Sequence, residues 1–204
     1  MQRFEVSPEH PKDRPLRQAI QSLRDGGLVV YPTDTVYGLG CDLHNKKAME
    51  RIYALKGNDK RKLLSFICPD LKEIAQYAHV STPAYKVMKR LTPGPYTFIL
   101  EASRLVPRIL LERRKTVGIR VPDHLICQRL LELMGSPIIS TSASLAGQSY
   151  LHEIEEICEI FRHTVDVVLD AGPGGLQPSS IIDLTGEALQ VLRVGKGDVS
   201  EFLD

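Results

Sequence analysis

The chain has 204 residues, 43% of them hydrophobic, with a formal net charge of +1 and four cysteines. That is enough apolar material for one substantial core in a single domain spanning residues 1–204. No apolar run approaches bilayer length, the start Met1-Gln2-Arg3-Phe4-Glu5-Val6 lacks the apolar core of a signal peptide, and the cysteines form no Cys-x-x-Cys pair. A membrane protein, a zinc site and a disulfide framework are therefore not expected, and a soluble, cytoplasmic protein is.

The near-neutral total hides an asymmetry. Residues 1–120 hold 22 Lys+Arg against 12 Asp+Glu, and residues 121–204 hold 4 against 13, giving +10 and −9. Either a basic pole attracts phosphates, or the two parts interleave in the fold and cancel.

In chain order, Gln2–Val6 reads as a short strand. Leu16, Ile20 and Leu23 give Arg14–Arg24 a helical face that stops at Gly26-Gly27. Leu28–Tyr31 is a strand leading into the polar run Pro32-Thr33-Asp34-Thr35, where Pro32 ends pairing and Gly38 and Gly40 allow a tight turn or a close approach to ligand. Asn45 caps a helix over Lys46–Leu55, followed by a loop over Gly57–Lys62 and a strand over Leu64–Cys68. Leu71–Tyr77 and Pro83–Leu91 read as helices, Thr92–Pro95 as a turn, and Tyr96–Leu100 alternates as a strand. Thr116–Val121 is a strand, Leu125–Met134 a helix closed by Gly135, and Ile138-Ile139 leads into a loop, Ser140-Thr141-Ser142-Ala143-Ser144. Glu153–Phe161 is an acidic helix, Val165–Leu169 a buried strand, and Ser180–Leu184 and Leu189–Val194 are closing strands. Strands and helices mix throughout and several strands are joined by short loops, so the expected fold is α/β with a twisted mixed open sheet.

Polar clusters recur beside the short strands. Lys56 and Lys62 flank a loop, while Arg120 and Arg193 end strands; such cations cap strands in solvent or meet an anionic ligand. Ser140, Thr141, Ser142, Ser144, Ser179 and Ser180 either close turns or bind phosphate with neighbouring amides. There is no Gly-Lys-Ser/Thr loop and no Gly-x-Ser-x-Gly elbow, and no histidine lies in these segments. No residue is placed as a nucleophile, so the pattern suits phosphate-ester chemistry run by positioning and charge neutralisation, with Mg²⁺ carried by a nucleotide.

Taken together, Pro32-Thr33-Asp34-Thr35-Val36-Tyr37-Gly38-Leu39, Gly118-Ile119-Arg120-Val121-Pro122, Ser140-Thr141-Ser142-Ala143-Ser144 and Ser179-Ser180-Ile181-Ile182-Asp183 resemble the YrdC/YciO family. Its best-known members are threonylcarbamoyl-AMP synthases. The text around Thr92–Leu100 is most similar to the YciO branch. The resemblance implies a single YrdC-like domain with flanking helices and a concave basic cavity. It implies condensation of L-threonine, bicarbonate and ATP to threonylcarbamoyl-AMP and pyrophosphate, for a tRNA adenosine modification. It also implies Thr35, Arg120, Ser140 and Ser179 on the threonine side, and Lys56, Lys62, Thr116, Ser142 and Arg193 on the nucleotide side.

Three positions depart from the synthase pattern. The usual Lys-x-Arg-Pro reads Lys56-Gly57-Asn58-Asp59, which removes a charge-assisted contact worth about 1.5–3 kcal/mol. Ile67 stands where a polar residue is usual, and Ser144 replaces the last residue of Ser-Ala-Asn. An alternative reading keeps the cavity but binds tRNA or double-stranded RNA through Lys86, Lys89, Arg90, Arg104, Arg108, Arg113, Arg114 and Lys115. A third puts a different small acid in place of threonine beside the apolar Ile67.

Overall fold

A computed structural model describes residues 1–58, 64–111 and 115–203. Strand β1 (Gln2–Glu5) is followed by α1 (Asp13–Arg24), β2 (Val29–Tyr31) and β3 (Gly38–Asp42). Next come α2 (Lys46–Leu55), β4 (Ser65–Ile67), α3 (Leu71–Tyr77), β5 (Ala78–His79), α4 (Thr82–Leu91) and β6 (Tyr96–Ala102). The second half contributes α5 (Arg108–Leu111), β7 (Thr116–Arg120), α6 (Leu125–Met134), β8 (Ile138–Ser142), α7 (Ile154–Phe161), β9 (Val167–Asp170), β10 (Ser180–Asp183) and β11 (Gln190–Arg193).

The strands form one mixed sheet in the order β1-β9-β2-β3-β8-β4-β7-β6-β10-β11, with β5 paired to the far end of β6. Parallel pairs such as β1 with β9 and β4 with β7 occur beside antiparallel ones such as β3 with β8. The acidic second half is threaded into the basic first half, since β9 lies between β1 and β2 and β8 between β3 and β4. Arg3 pairs with Asp170 at 2.7 Å and Arg51 with Asp166 at 3.0 Å, so the charge asymmetry of the sequence partly cancels in space.

Period-two alternation sends successive side chains to opposite faces. One face carries the larger core, built on Val30, Leu39, Phe66, Phe98, Ile119, Ile139, Val168 and Ile182 and covered by residues of α2, α4 and α7. The other face carries a smaller core, in which Val29, Tyr31, Ile138, Val167 and Leu169 meet α1 and α6. This second layer covers only one end of its face. Beyond Ile67, the same register over β4, β7, β6 and β10 places the small or polar Ser65, Gly118, Arg120 and Thr97, with Ile181 beside them, and no helical layer of that core above them.

The expected elements form, with three differences. Gly38–Cys41 belongs to β3 rather than to a turn, paired antiparallel to β2. A Cβ on Gly38 would lie 2.8 Å from the Tyr31 ring and one on Gly40 would lie 2.9 Å from it, so the two glycines seat that ring inside the sheet. Residues Ser140 to Ser142 continue β8 instead of forming a loop, and α5 and β5 fall in stretches without periodic signal. Asn45 caps α2 as its sequence suggests, accepting from Ala48 N at 3.0 Å, and Gly135 closes α6 at φ 72°.

Candidate active site

The uncovered face holds a cavity of about 560 Å³. Its walls come from the loop between β2 and β3, the end of α2, seven neighbouring strands from β3 to β11, and the loop after β8. Thr35, Lys56, Arg120, Ser140, Ser142, Ser179 and Arg193 all line it. They come from six separate stretches of chain, and the sheet order brings them together. Thr116 does not line it: it begins β7 opposite Glu101, four residues and about 13 Å along the strand from Arg120. Lys62 lies outside the described residues.

The hydroxyls are held from behind. Ser140 Oγ is hydrogen-bonded to the Tyr31 hydroxyl. Ser179 Oγ lies 2.8 Å from Thr97 Oγ1 and 3.2 Å from Arg193 Nη2, while Ser179 O accepts from Arg193 Nε at 2.9 Å and Nη2 at 2.7 Å. Thr33 Oγ1 donates to Val36 O at 2.7 Å, accepts from Thr35 N at 3.0 Å and sits 3.1 Å from Thr35 Oγ1. Lys56, only 4% exposed, reaches Ser142 O at 2.8 Å, Ser144 Oγ at 3.1 Å, Ser142 Oγ at 3.3 Å and the Ser144 carbonyl. Two of the expected nucleotide-side cations thus also organise the oxygen-rich loops that line the cavity. Burial lowers the Arg193 guanidinium from its ordinary range.

Arg120 is paired through Nη2 with Asp34 Oδ1. Arg120 Nε and Asp34 Oδ2 are both buried without a hydrogen-bond partner. Lys196 Nζ donates to the Asp34 carbonyl, and His124 feels the charges of Asp34, Asp123, Arg120 and Lys196. Burial is the largest influence on His124 and lowers its pKa from 6.5. Asp34, His124 and Lys196 were not among the expected site residues. Asp34 sits inside the motif itself and His124 four residues after Arg120, whereas nothing in the sequence points to Lys196.

The departures have physical readings. Asn58 has φ 55° directly after Gly57 at φ 76°, and its N–H closes α2 on Tyr53 O at 2.8 Å. Asparagine tolerates that left-handed conformation better than most residues. Ile67 lines the cavity and Ser144 is buried in the Lys56 cluster. The glycines after β9 serve packing: Tyr37 donates to Gly172 O at 2.7 Å and accepts from Ala171 N at 3.1 Å, and a Cβ on Gly175 would meet Thr35 O at 2.0 Å.

The Sua5_yciO_yrdC family, described as Telomere recombination, matches residues 21–195. The chain belongs to this family. It is 43% identical to the Escherichia coli (strain K12) protein YciO over 202 residues, 98% of each chain. The crystal structure of E. coli YciO superposes with a TM-score of 0.95 over 99% of both chains. Family membership extends to a threonylcarbamoyl-AMP synthase of Vibrio vulnificus, 34% identical over 88% of this chain and 98% of that protein. P. abyssi Sua5, solved in complex with L-threonine, has a TM-score of 0.92 and 31% identity, covering 98% of this chain and 59% of that one. As in E. coli YciO, the architecture is a single α/β domain with a mixed open sheet and flanking helices. No helix among the described residues is long and apolar enough to cross a membrane.

Proposed function

We propose that this family member is a threonylcarbamoyl-AMP synthase. The observation that carries the proposal is the convergence of Thr35, Arg120, Ser140 and Ser179 with Lys56, Ser142 and Arg193 in one cavity. The threonine amine combines with bicarbonate to give a carbamate and water. A carbamate oxygen then attacks the α-phosphorus of ATP, forming the new P–O bond as the bond to pyrophosphate breaks.

Nothing in that sequence needs a protein nucleophile. Arg120 has donors beyond the one given to Asp34 and suits the threonine carboxylate. Ser140, Ser179 and Thr35 supply neutral hydrogen bonds around the amino acid. Lys56 and Arg193 put positive charge on the nucleotide side, and Ser142 adds a hydroxyl there. In this reading Mg²⁺ enters with the nucleotide, as part of the MgATP substrate. The product is a carbamoyl donor for tRNA adenosine modification.

The test is pyrophosphate release from MgATP by the purified chain. Release that requires both L-threonine and bicarbonate, and that disappears in Arg120→Ala, is expected. Release indifferent to threonine, or none from folded protein, overturns the reading.

A second reading rests on the exposed cations Lys86, Lys89, Arg104, Arg108 and Lys115. They suit a sequence-indifferent contact with RNA phosphates; Arg113 and Arg114 lie outside the described residues. Arg90 is engaged by Glu201 at 2.8 Å and by the Phe202 ring. Binding of tRNA or duplex RNA that weakens steeply with salt is the expected result, and no binding at low salt removes it.

A further inference from the structure

We infer that Tyr31 is a positioning residue that fixes the Ser140 hydroxyl as a hydrogen-bond donor into the cavity, so that the ligand atom Ser140 meets is an acceptor. The inference rests on the amino-acid pocket proposed above and adds the polarity of one of its contacts.

The two hydroxyls differ in their surroundings. Tyr31 is 1% exposed, its ring lies against Gly38 and Gly40, and its oxygen bonds to Ser140 Oγ. Ser140 lines the cavity. Each hydroxyl carries one hydrogen and can accept. If Ser140 donated to Tyr31, the phenolic hydrogen would be left in the apolar interior, where an unmade hydrogen bond is costly. If Tyr31 donates, both hydrogens are used: the phenol's on Ser140, and the serine's on whatever occupies the cavity. Burial also keeps the phenol protonated by pushing its pKa up from the ordinary value.

The neighbouring hydroxyls have a different wiring. Ser142 and Ser179 receive hydrogen bonds from Lys56 and Arg193, whereas Ser140 is oriented by a neutral phenol. Ser140 therefore selects an acceptor without adding charge. A carboxylate or hydroxyl oxygen of the amino acid satisfies it, and an ammonium hydrogen does not.

Two measurements separate this inference from the functional reading. Calorimetric titration of wild type and Tyr31→Phe with L-threonine, and separately with MgATP, is the first. Expected is a threonine affinity about fivefold weaker in Tyr31→Phe, with MgATP affinity held within about twofold. Equal threonine affinity in the two proteins, or equal weakening for both ligands, overturns the inference. If wild type binds no threonine, the amino-acid pocket fails, and the second measurement alone decides. That measurement is proton NMR of protein labelled at the tyrosine ζ-carbon. Expected is a slowly exchanging Tyr31 hydroxyl proton shifted downfield, moving upfield in Ser140→Ala. A resonance unchanged in Ser140→Ala, or a hydroxyl proton in fast exchange with water, overturns it.

Discussion

Arg120 and Asp34 form an ion pair across 86 residues of chain, with side chains only 12% and 9% exposed. One comes from the end of β7 and the other from the loop after β2, so the pair ties these two motifs together. Desolvation offsets much of such a pair's attraction, but removing one partner leaves an uncompensated buried charge. Asp34→Ala and Arg120→Ala are each expected to destabilise the fold by about 3 kcal/mol, and the double variant by less than their sum. Urea unfolding of the three proteins checks this; additive losses contradict it.

Lys56 makes a different kind of link, from the end of α2 to the turn after β8. Lys56→Met keeps much of the side-chain volume and strips the donors from the Ser142 and Ser144 oxygens. A loss of about 2 kcal/mol is expected, together with weaker MgATP binding. Unfolding midpoints and nucleotide titrations that match wild type would show that the loop stands without it.

Gly175 touches Thr35 through backbone on both sides, so neither neighbour can yield as a flexible side chain could. Gly175→Ala is expected to cost about 1–3 kcal/mol and to lower threonine affinity by displacing Thr35. Gly186, whose nearest heavy atom to an added Cβ is 3.4 Å away, is the control; its alanine variant should stay within about 0.5 kcal/mol of wild type. Similar losses in both variants would remove the special role of Gly175.

The pH dependence of stability should carry a signature of His124. Burial depresses its folded pKa below 6.5, so the folded state holds it neutral while the unfolded chain gains a proton near 6.5. Its contribution is full above that pH and is lost as pH falls through the folded value. Denaturant unfolding between about pH 8 and about pH 5 should show a shallower loss in His124→Gln than in wild type. Parallel curves would place His124 outside the linkage.

Much of this molecule was legible in its sequence because short-range signals carry it. The helical face of Leu16, Ile20 and Leu23 and the Asn45 cap are local, and both hold in the structure. The cavity residues were visible as polar clusters after strands, and family resemblance grouped them. What local pattern could not show was pairing over distance. The glycines of Gly38-Leu39-Gly40 suggested a turn, yet their meaning lies in the Tyr31 ring on the neighbouring strand. Arg193 and Lys56 read as solvated caps or as partners of an anionic ligand, and only the folded arrangement shows how many of their donors go to Ser142, Ser144 and Ser179. Thr116 shares a strand with Arg120, but strand geometry carries it away from the cavity.

Thr35 reaches the cavity from the loop after β2 and Arg193 from the β11 edge, and Lys196 just past β11 bonds to the Asp34 carbonyl, so these parts, distant in strand order, stand together and an occupant touching both ties them further. Such an occupant acts as a cross-brace. Any opening that peels the β10–β11 edge away also empties the cavity, so occupancy resists that opening by RT ln(1 + [L]/Kd). The cell's supply of substrate would then set how long the edge of this sheet stays closed to proteases.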